Sequence, residues 1–404
     1  MSPLPLEGIR VTDFGWILAV PHCTAWLGAL GAEVIRVESM ARPDLGRLYP
    51  GSAADGIPGI NRSGGFNGLN YSKKSCNLNL SQPKGVELAR ELIKLSDIVT
   101  ENFTSGVMGR FGLDYLSLKK INPDIIMLSG TPLGKTGPLK DSVGWGPNTQ
   151  SYVGMTYMTG YPDGSPGGLG GTWPDYMVGV AMAFAVMSAL HYRNRTGEGQ
   201  HIDLAMGELV MTMLPEGVMD YVMNGRERYR MGNHDEVMAP HNCYRCQGED
   251  KWVAIAVTNE EEWQALCQVI DKPEWRRDER FSDPLSRWKH QDELDRLIEI
   301  WTKEHTHYEV MEMLQKAGVP AGPSFDTGEL IDDPHFQSRR LCLEMDHPEV
   351  GPRMAAGLPP KWSGIEPHYS HAPLFGEHNS YVFHDLLGLS EEEIVQLVEE
   401  KVIY

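Results

Sequence analysis

Long apolar runs are scarce in this sequence of 404 residues. The longest apolar stretch, 176–190, falls short of the roughly 18 residues needed to cross a bilayer. The opening, MSPLPLEGIRVTDFG, lacks the charged-then-apolar pattern of a secretion signal. Together these absences make a cytoplasmic location the expectation. Positive charge is also in deficit, with 36 basic residues against 55 acidic ones and a net charge of −19. That balance argues against general affinity for nucleic acid or an anionic membrane surface. A small anion can still be held by a local basic cluster. Six cysteines (Cys23, Cys76, Cys243, Cys246, Cys267 and Cys342) are too few in so long a chain for a disulfide framework, and read as reduced thiols.

Several catalytic signatures are missing as well. The first predicted strand–helix turn, FGWILAVPHC, carries no G-x-G-x-x-G, so nothing lets a dinucleotide pyrophosphate approach the backbone. Glu38, ending the second predicted strand, then reads as a strand-end residue with a local partner. Cys243-x-x-Cys246 has no second pair to complete a zinc site, and a strand would turn its two thiols to opposite sides. No metal site is expected. There is no G-x-S-x-G elbow and no H-E-x-x-H.

What is present alternates. IRVTDF (9–14), EVIRVES (33–39), SCNLNL (75–80), DIVTENF (97–103) and DIIMLSG (124–130) read as strands. HCTAWLGALGA (22–32) and KGVELARELIKLS (84–96) read as the helices between them. The pattern predicts an α/β fold with a doubly wound, Rossmann-like parallel sheet. Residues 131–174 are rich in Gly, Pro and Thr with little periodicity, which in a compact domain points to function. A hairpin is expected over 242–257, with helices near 259–270, 290–305 and 308–317. The tail helix, 390–400, opens with a capping box, Ser390 and Glu393. RERYRMGN (226–233) and GVPAGP (318–323) read as linkers. The expected layout is a large domain of residues 1–224 and 324–404, with a small α+β domain, 225–323, inserted.

Asp175 is the one charged residue in GGLGGTWPDYMVGVAMAFAVMSAL (167–190). As plain structure it is a helix N-cap, stabilised by the helix dipole. As chemistry it is a carboxylate nucleophile, with glycines before it that let a substrate come close and an apolar, buried helix behind it. The residues alone leave both readings open.

The chain resembles class III CoA-transferases, the family of formyl-CoA, carnitine and benzylsuccinate CoA-transferases. The resemblance runs nearly end to end. It is carried by PLEGIRVTDFGWILAVPHCTAWLGALGAEVIRVES, LNYSKKSCNLNL, KGVELARELIKLSDIVTENFTSGVMGRFGLDY, DYMVGVAMAFAVMSALHYRNRTGEGQHIDLAM, GVPAGP and APLFGEH. It implies that Asp175 is the nucleophile, forming an aspartyl anhydride and then an aspartyl-CoA thioester. Coenzyme A thioesters would be substrates, with no permanently bound cofactor. The implied coenzyme A contacts are Leu18, Leu78, Asn79, Leu80, Ser81, Asn102, Phe103 and Arg110, with Lys73 and Lys74 as neighbouring cations. An arginine of formyl-CoA transferase is replaced by Ser39, leaving Arg42 or Arg47 as substitutes, and that enzyme's first-loop glutamine is Leu18. Its glycine-rich small-domain loop is not evident either. These departures point away from formyl-CoA and oxalate.

The resemblance also implies an interlaced dimer, either of identical chains or with a paralogous subunit. An α-methylacyl-CoA racemase would add a histidine where GWGPN has Trp145, and lacking it loses its second base. Trp145, Tyr152, Met155, Tyr157, Met158 and Trp173 are either core or the wall of a roomy acceptor pocket. A bulky or aryl-substituted succinate is the expected acceptor, with a carnitine-like or short dicarboxylic acid as the alternatives, and succinyl-CoA is a suitable donor.

Overall fold

Alternating aliphatic residues set the architecture of the larger of two compact units. The computed structural model describes residues 3–49 and 56–404. In chain order the elements are β1 (Arg10–Asp13), α1 (Ala19–Ala29), β2 (Glu33–Glu38), β3 (Lys74–Asn77), α2 (Pro83–Lys94), β4 (Ile98–Glu101) and β5 (Ile126–Thr131). They continue with α3 (Gly146–Tyr152), α4 (Trp173–Thr196) and β6 (His201–Ala205). The six strands form one parallel sheet in the order β3-β2-β1-β4-β5-β6. That is the doubly wound order expected from the alternation of strands and helices.

Successive strand residues point to opposite faces, so each strand feeds two cores. Ile98, Ile126 and Leu128 join Val178, Met182 and Val186 of α4 in one core. Val99 and Met127 join Leu88 and Leu92 of α2, with Val382 and Phe383 from the tail, in the other.

The helix α4 corrects one expectation. It is 24 residues long and, by length and composition alone, apolar enough to cross a membrane. It is not buried on every face. Val178, Gly179, Met182, Val186 and Leu190 are buried, while Tyr176, Phe184 and Met187 on the other side are exposed, Phe184 at 76%. Gly179 lets α4 meet α1: a Cβ there would stand 2.8 Å from the Ala19 carbonyl oxygen and 2.9 Å from the His22 ring.

The second unit comprises Tyr157–Gly167 and Glu227–Arg339, and the first takes Met1–Thr156, Gly168–Arg226 and Arg340–Tyr404. The return to the large unit therefore falls later than residue 324, and 157–167 belongs to the small unit. The small unit holds the antiparallel hairpin β7 (His241–Arg245) and β8 (Trp252–Ala256), then α5 (Glu260–Val269), α6 (Gln291–Thr302), α7 (His307–Lys316) and β9 (Ala321–Ser324). GVPAGP is not a linker: β9 pairs antiparallel with β8 as the edge of a three-stranded sheet. Pro323 stands opposite Val253 there, as an edge strand allows. Trp263, Leu266, Phe281, Leu294 and Ile298 fill this unit's own core.

In the large unit the chain ends with a hairpin, β10 (Cys342–His347) and β11 (Gly351–Ala356), and with α8 (Glu391–Glu399). Helix α8 opens on the expected capping box of Ser390 and Glu393.

Candidate active site

Asp175 occupies the third helical position of α4, not its cap. Thr172 is the cap residue, without a side-chain capping bond, and Pro174 sits in the first turn, where a missing N–H costs nothing. The N-cap reading is thereby corrected. Burial dominates and raises the carboxyl pKa to about 6, the amides of Asp175 itself and of Gly146 pulling weakly the other way. Oδ2 is buried and accepts no hydrogen bond. The carboxylate is thus ionised at neutral pH yet poorly solvated, which is what a reactive oxygen nucleophile requires.

Gly146, the first residue of α3, faces this oxygen. A Cβ at Gly146 would overlap Oδ2, so only glycine leaves the carboxylate where it is. Nothing local in sequence marks Gly146, since its partner is remote along the chain. Gln150, one turn further along α3, is 3% exposed and lies under the glycine-rich segment. Its Nε2 approaches the Leu169 carbonyl at 3.5 Å, and a Cβ at Gly168 would stand 3.1 Å from that nitrogen. Its Oε1 is left unbonded.

Of the aromatic and methionine candidates, Trp145 and Tyr152 are exposed beside this corner, whereas Met155 is core and Trp173 packs against core. Tyr157 and Met158 belong to the small unit, where Tyr157 meets Tyr229 edge-on and Arg230 lies over its ring.

The expected coenzyme contacts all follow the carboxyl ends of strands, where open α/β sheets place ligands. Leu18, buried, caps α1 after β1 and directly precedes Ala19, the residue that meets Gly179. Leu78 and Leu80 follow β3 and pack in or against the second core. Asn79 ties this loop to the tail, its Nδ2 donating to the Lys401 carbonyl at 3.2 Å and its Oδ1 accepting from the Ser81 hydroxyl at 2.6 Å. Asn102, after β4, clamps the Trp16 backbone by two 2.8 Å bonds. Phe103 stands edge-on to the Trp16 ring. Arg110 is exposed at the end of the short helix Val107–Arg110, with no ion pair among the described residues.

The other cations sort by burial. Arg47 is buried and holds Glu38 by bonds of 2.6 and 2.7 Å, which gives Glu38 its local partner. Lys73 is buried, donating to the Pro21 carbonyl and Asn70 at 2.8 Å, and burial pulls its pKa down to about 7. Lys74 pairs with Glu33 at 3.0 Å at the other end of the sheet. None of the three is free for a phosphate. Arg42 is: it is exposed and its guanidinium lies 5.1 Å over the Trp16 ring. The first turn itself is strained, with Ile17 at φ 65° and its amide 3.1 Å from both Asp44 carboxylate oxygens. Buried Arg36 pairs with Asp44 and holds that clamp in place.

Among the described residues no group of three or more His, Cys, Asp or Glu could hold a metal ion. Cys243 is half-buried in β7 and Cys246 is buried in the small unit's core.

Comparison with known proteins identifies the family. The family described as CoA-transferase family III matches residues 6–379. The succinyl-CoA–D-citramalate CoA-transferase of Chloroflexus aurantiacus is 33% identical over 99% of this chain and 98% of its own. A formyl-CoA:oxalate CoA-transferase of Rhodopseudomonas palustris is 30% identical over 97% of this chain and 96% of its own. A CAIB/BAIF family protein from Brucella suis, known by crystal structure, superposes with a TM-score of 0.86 at 32% identity, covering 95% of this chain and 100% of that one. The chain belongs to CoA-transferase family III and is an enzyme of that class, a transferase of coenzyme A.

Proposed function

We propose that the protein moves coenzyme A from succinyl-CoA to a substituted succinate, with Asp175 as the nucleophile. The observation that carries this reading is the carboxylate itself: half-buried, with no ion pair among the described residues, and with Oδ2 unbonded in the first turn of α4. An Asp175 oxygen attacks the thioester carbonyl, the C–S bond breaks, and coenzyme A leaves as thiolate from a mixed anhydride. The thiolate then attacks the aspartyl carbonyl, releasing the donor acid and leaving an aspartyl-CoA thioester. The acceptor carboxylate attacks that thioester and expels the thiolate again, giving a second anhydride. Attack on the acceptor acyl carbon finally frees the new thioester and restores Asp175. Thioester free energy is kept in an enzyme-bound acyl group throughout.

The acceptor class draws on two supports. The D-citramalate of the Chloroflexus relative is itself a substituted succinate. Exposed Trp145 and Tyr152 beside the Asp175 corner suit a substituent larger than methyl, including an aryl group. Leu18, Leu78–Ser81, Asn102, Phe103 and Arg110 would line the coenzyme, with Arg42 on Trp16 supplying the cation that Ser39 does not. The exposed apolar side of α4 supports association with a second copy or a paralogous chain. The racemase reading is weaker, because Trp145, next to the Gly146 that faces Asp175, stands where the second base would be needed.

Hydroxylamine added during turnover with succinyl-CoA, followed by mass spectrometry, tests the reading. The peptide containing position 175 should carry a hydroxamate, and Asp175→Ala should carry none and transfer nothing. Transfer by the purified alanine variant would overturn the assignment. A panel of substituted succinates with succinyl-CoA as donor tests the acceptor class. Exchange of an acyl-CoA α-proton without an acceptor would favour the isomerase.

A further inference from the structure

The side chain that Gly179 admits between α1 and α4 is His22. A Cβ at Gly179 would stand 2.9 Å from His22 Cδ2 and 3.0 Å from His22 Cβ. A helical Cβ tilts towards the helix start, so the ring lies over the turn before Gly179. At about 100° per residue, Asp175 and Tyr176 stand about 40° and about 60° to either side of Gly179 on that turn. The imidazole therefore sits over the notch between them. Its edge-on contact with the Tyr176 ring, 5.2 Å between centroids, agrees with that seat. On α1, Leu18, His22 and Trp26 share one face at successive turns, and the Trp26 ring meets His22 edge-on at 5.8 Å. His22 thus stands between Leu18, an expected coenzyme contact, and the Asp175 end of α4.

The two neighbouring rings fix the imidazole but leave its polar atoms free. His22 is only partly buried. Neither ring nitrogen has a hydrogen-bond partner among the described residues, and unlike Asp175 Oδ2 neither is sealed from solvent. Burial, with the Lys73 charge adding to it, pulls the pKa down to about 4. At neutral pH the ring is uncharged and keeps one N–H donor.

The start of α4 is short of such donors. Pro174 has no N–H, and the Asp175 amide already donates to the Thr172 carbonyl at 3.0 Å. The Gly146 amide is turned to the Asp175 carboxylate itself. Yet each addition to an acyl carbon in the transfer loads negative charge onto its oxygen. A donor already held in place for that oxygen stabilises the transition state more than water does.

We propose that His22 is a further catalytic residue of this transfer, its ring N–H donating to the acyl oxygen as Asp175 and the thiolate exchange on the acyl carbon. The inference rests on the Asp175 reading above. The proton stays on the imidazole throughout, and the only bonds made and broken are those between the acyl carbon and oxygen or sulfur.

Transfer kinetics of His22 variants test it, alongside hydroxamate trapping at position 175. His22→Phe keeps a ring against Tyr176 and Gly179 but removes the donor. It should lower kcat by about 100-fold, the cost of one such donor. KM for succinyl-CoA should stay within about twofold, because the bond is made only in the transition state. His22→Leu, a smaller donor-free variant, should show the same split. The amide nitrogens of His22→Asn and His22→Gln stand in for Nδ1 and Nε2, and one of the two should recover at least about tenfold over His22→Phe. A labelled Asp175 with His22→Phe or His22→Leu at the parent kcat overturns the inference alone. So does a loss of kcat that neither amide variant repairs, since that is the mark of a packing role. A parent enzyme that never labels at Asp175 during turnover overturns the nucleophile reading and this inference with it.

Discussion

At the scale of single residues, the reactivity proposed for Asp175 comes from a conflict between its position and its solvation. The helix start favours an anion, but burial disfavours it more, and the net result is a pKa of about 6 instead of the ordinary 3.8. Transfer should accordingly fall as pH drops through about 6, since the protonated acid is no nucleophile. A rate profile flat from pH 5 to 8 would contradict this. The same shift has a stability consequence of definite sign. Because the folded pKa lies above the unfolded one, ionisation costs more in the folded state, and stability is lost as pH rises from about 4 to about 6. Asp175→Asn avoids that loss. With partial exposure discounting the electrostatic cost, it should stabilise the protein by about 1–2 kcal/mol at pH 8 and by nearly nothing below pH 4. Urea unfolding at the two pH values measures the difference. Gly146 gives the complementary case. Its backbone φ is ordinary, so Gly146→Ala carries no conformational penalty, yet the added methyl would overlap Oδ2. Displacing the nucleophile by about 1 Å should lower kcat by about 100-fold with the thermal transition intact. An unchanged kcat would mean that the carboxylate is not held where it acts.

At the scale of elements, the strands were the most legible feature of the sequence. IRVTDF and EVIRVES each contain the observed strand, and DIIMLSG holds all of β5 but its last residue, because alternation and β-branching are local properties. What sequence could not supply was pairing across distance. Nothing in GWGPN announces that its second glycine lies against Asp175, and nothing in GVPAGP separates a linker from an edge strand that uses only its backbone. Lysine and arginine near a presumed phosphate site look alike in sequence, and only the fold separates buried Arg47 and Lys73 from exposed Arg42. The crossing of α1 and α4 is another such long-range fact. It rests on Gly179, where a side chain would meet the Ala19 carbonyl, a backbone atom that moves only if α1 moves. Gly179→Leu should therefore destabilise the large unit by about 2–3 kcal/mol through overpacking. Because Leu18 caps the shifted helix α1, KM for the acyl-CoA should rise as well. A loss of stability with KM unchanged would separate the helix crossing from coenzyme binding.

At the scale of the whole molecule, two bodies with separate cores share one chain. The small unit's hydrophobic cluster draws only on residues between Tyr244 and Ala321, and its three strands pair only with one another. Its polar contacts are equally local, with Lys251 paired to Asp326 at 2.9 Å and His234 hydrogen-bonded to Asp295 at 2.7 Å. A contiguous segment of that kind satisfies the requirements of an autonomous domain. Residues 227–339 expressed alone should fold cooperatively, giving coincident urea transitions by circular dichroism and tryptophan fluorescence. The fragment lacks 157–167, so Arg230 loses the Tyr157 carbonyl to which it donates at 3.0 Å. Loss of one such bond to a charged donor costs about 1.5–3 kcal/mol when the donor stays buried, which sets the deficit expected against the same unit in the full chain. Adding a synthetic peptide of 157–167 should recover part of it. A fragment that shows no cooperative transition, with or without the peptide, would mean that its core depends on the rest of the chain.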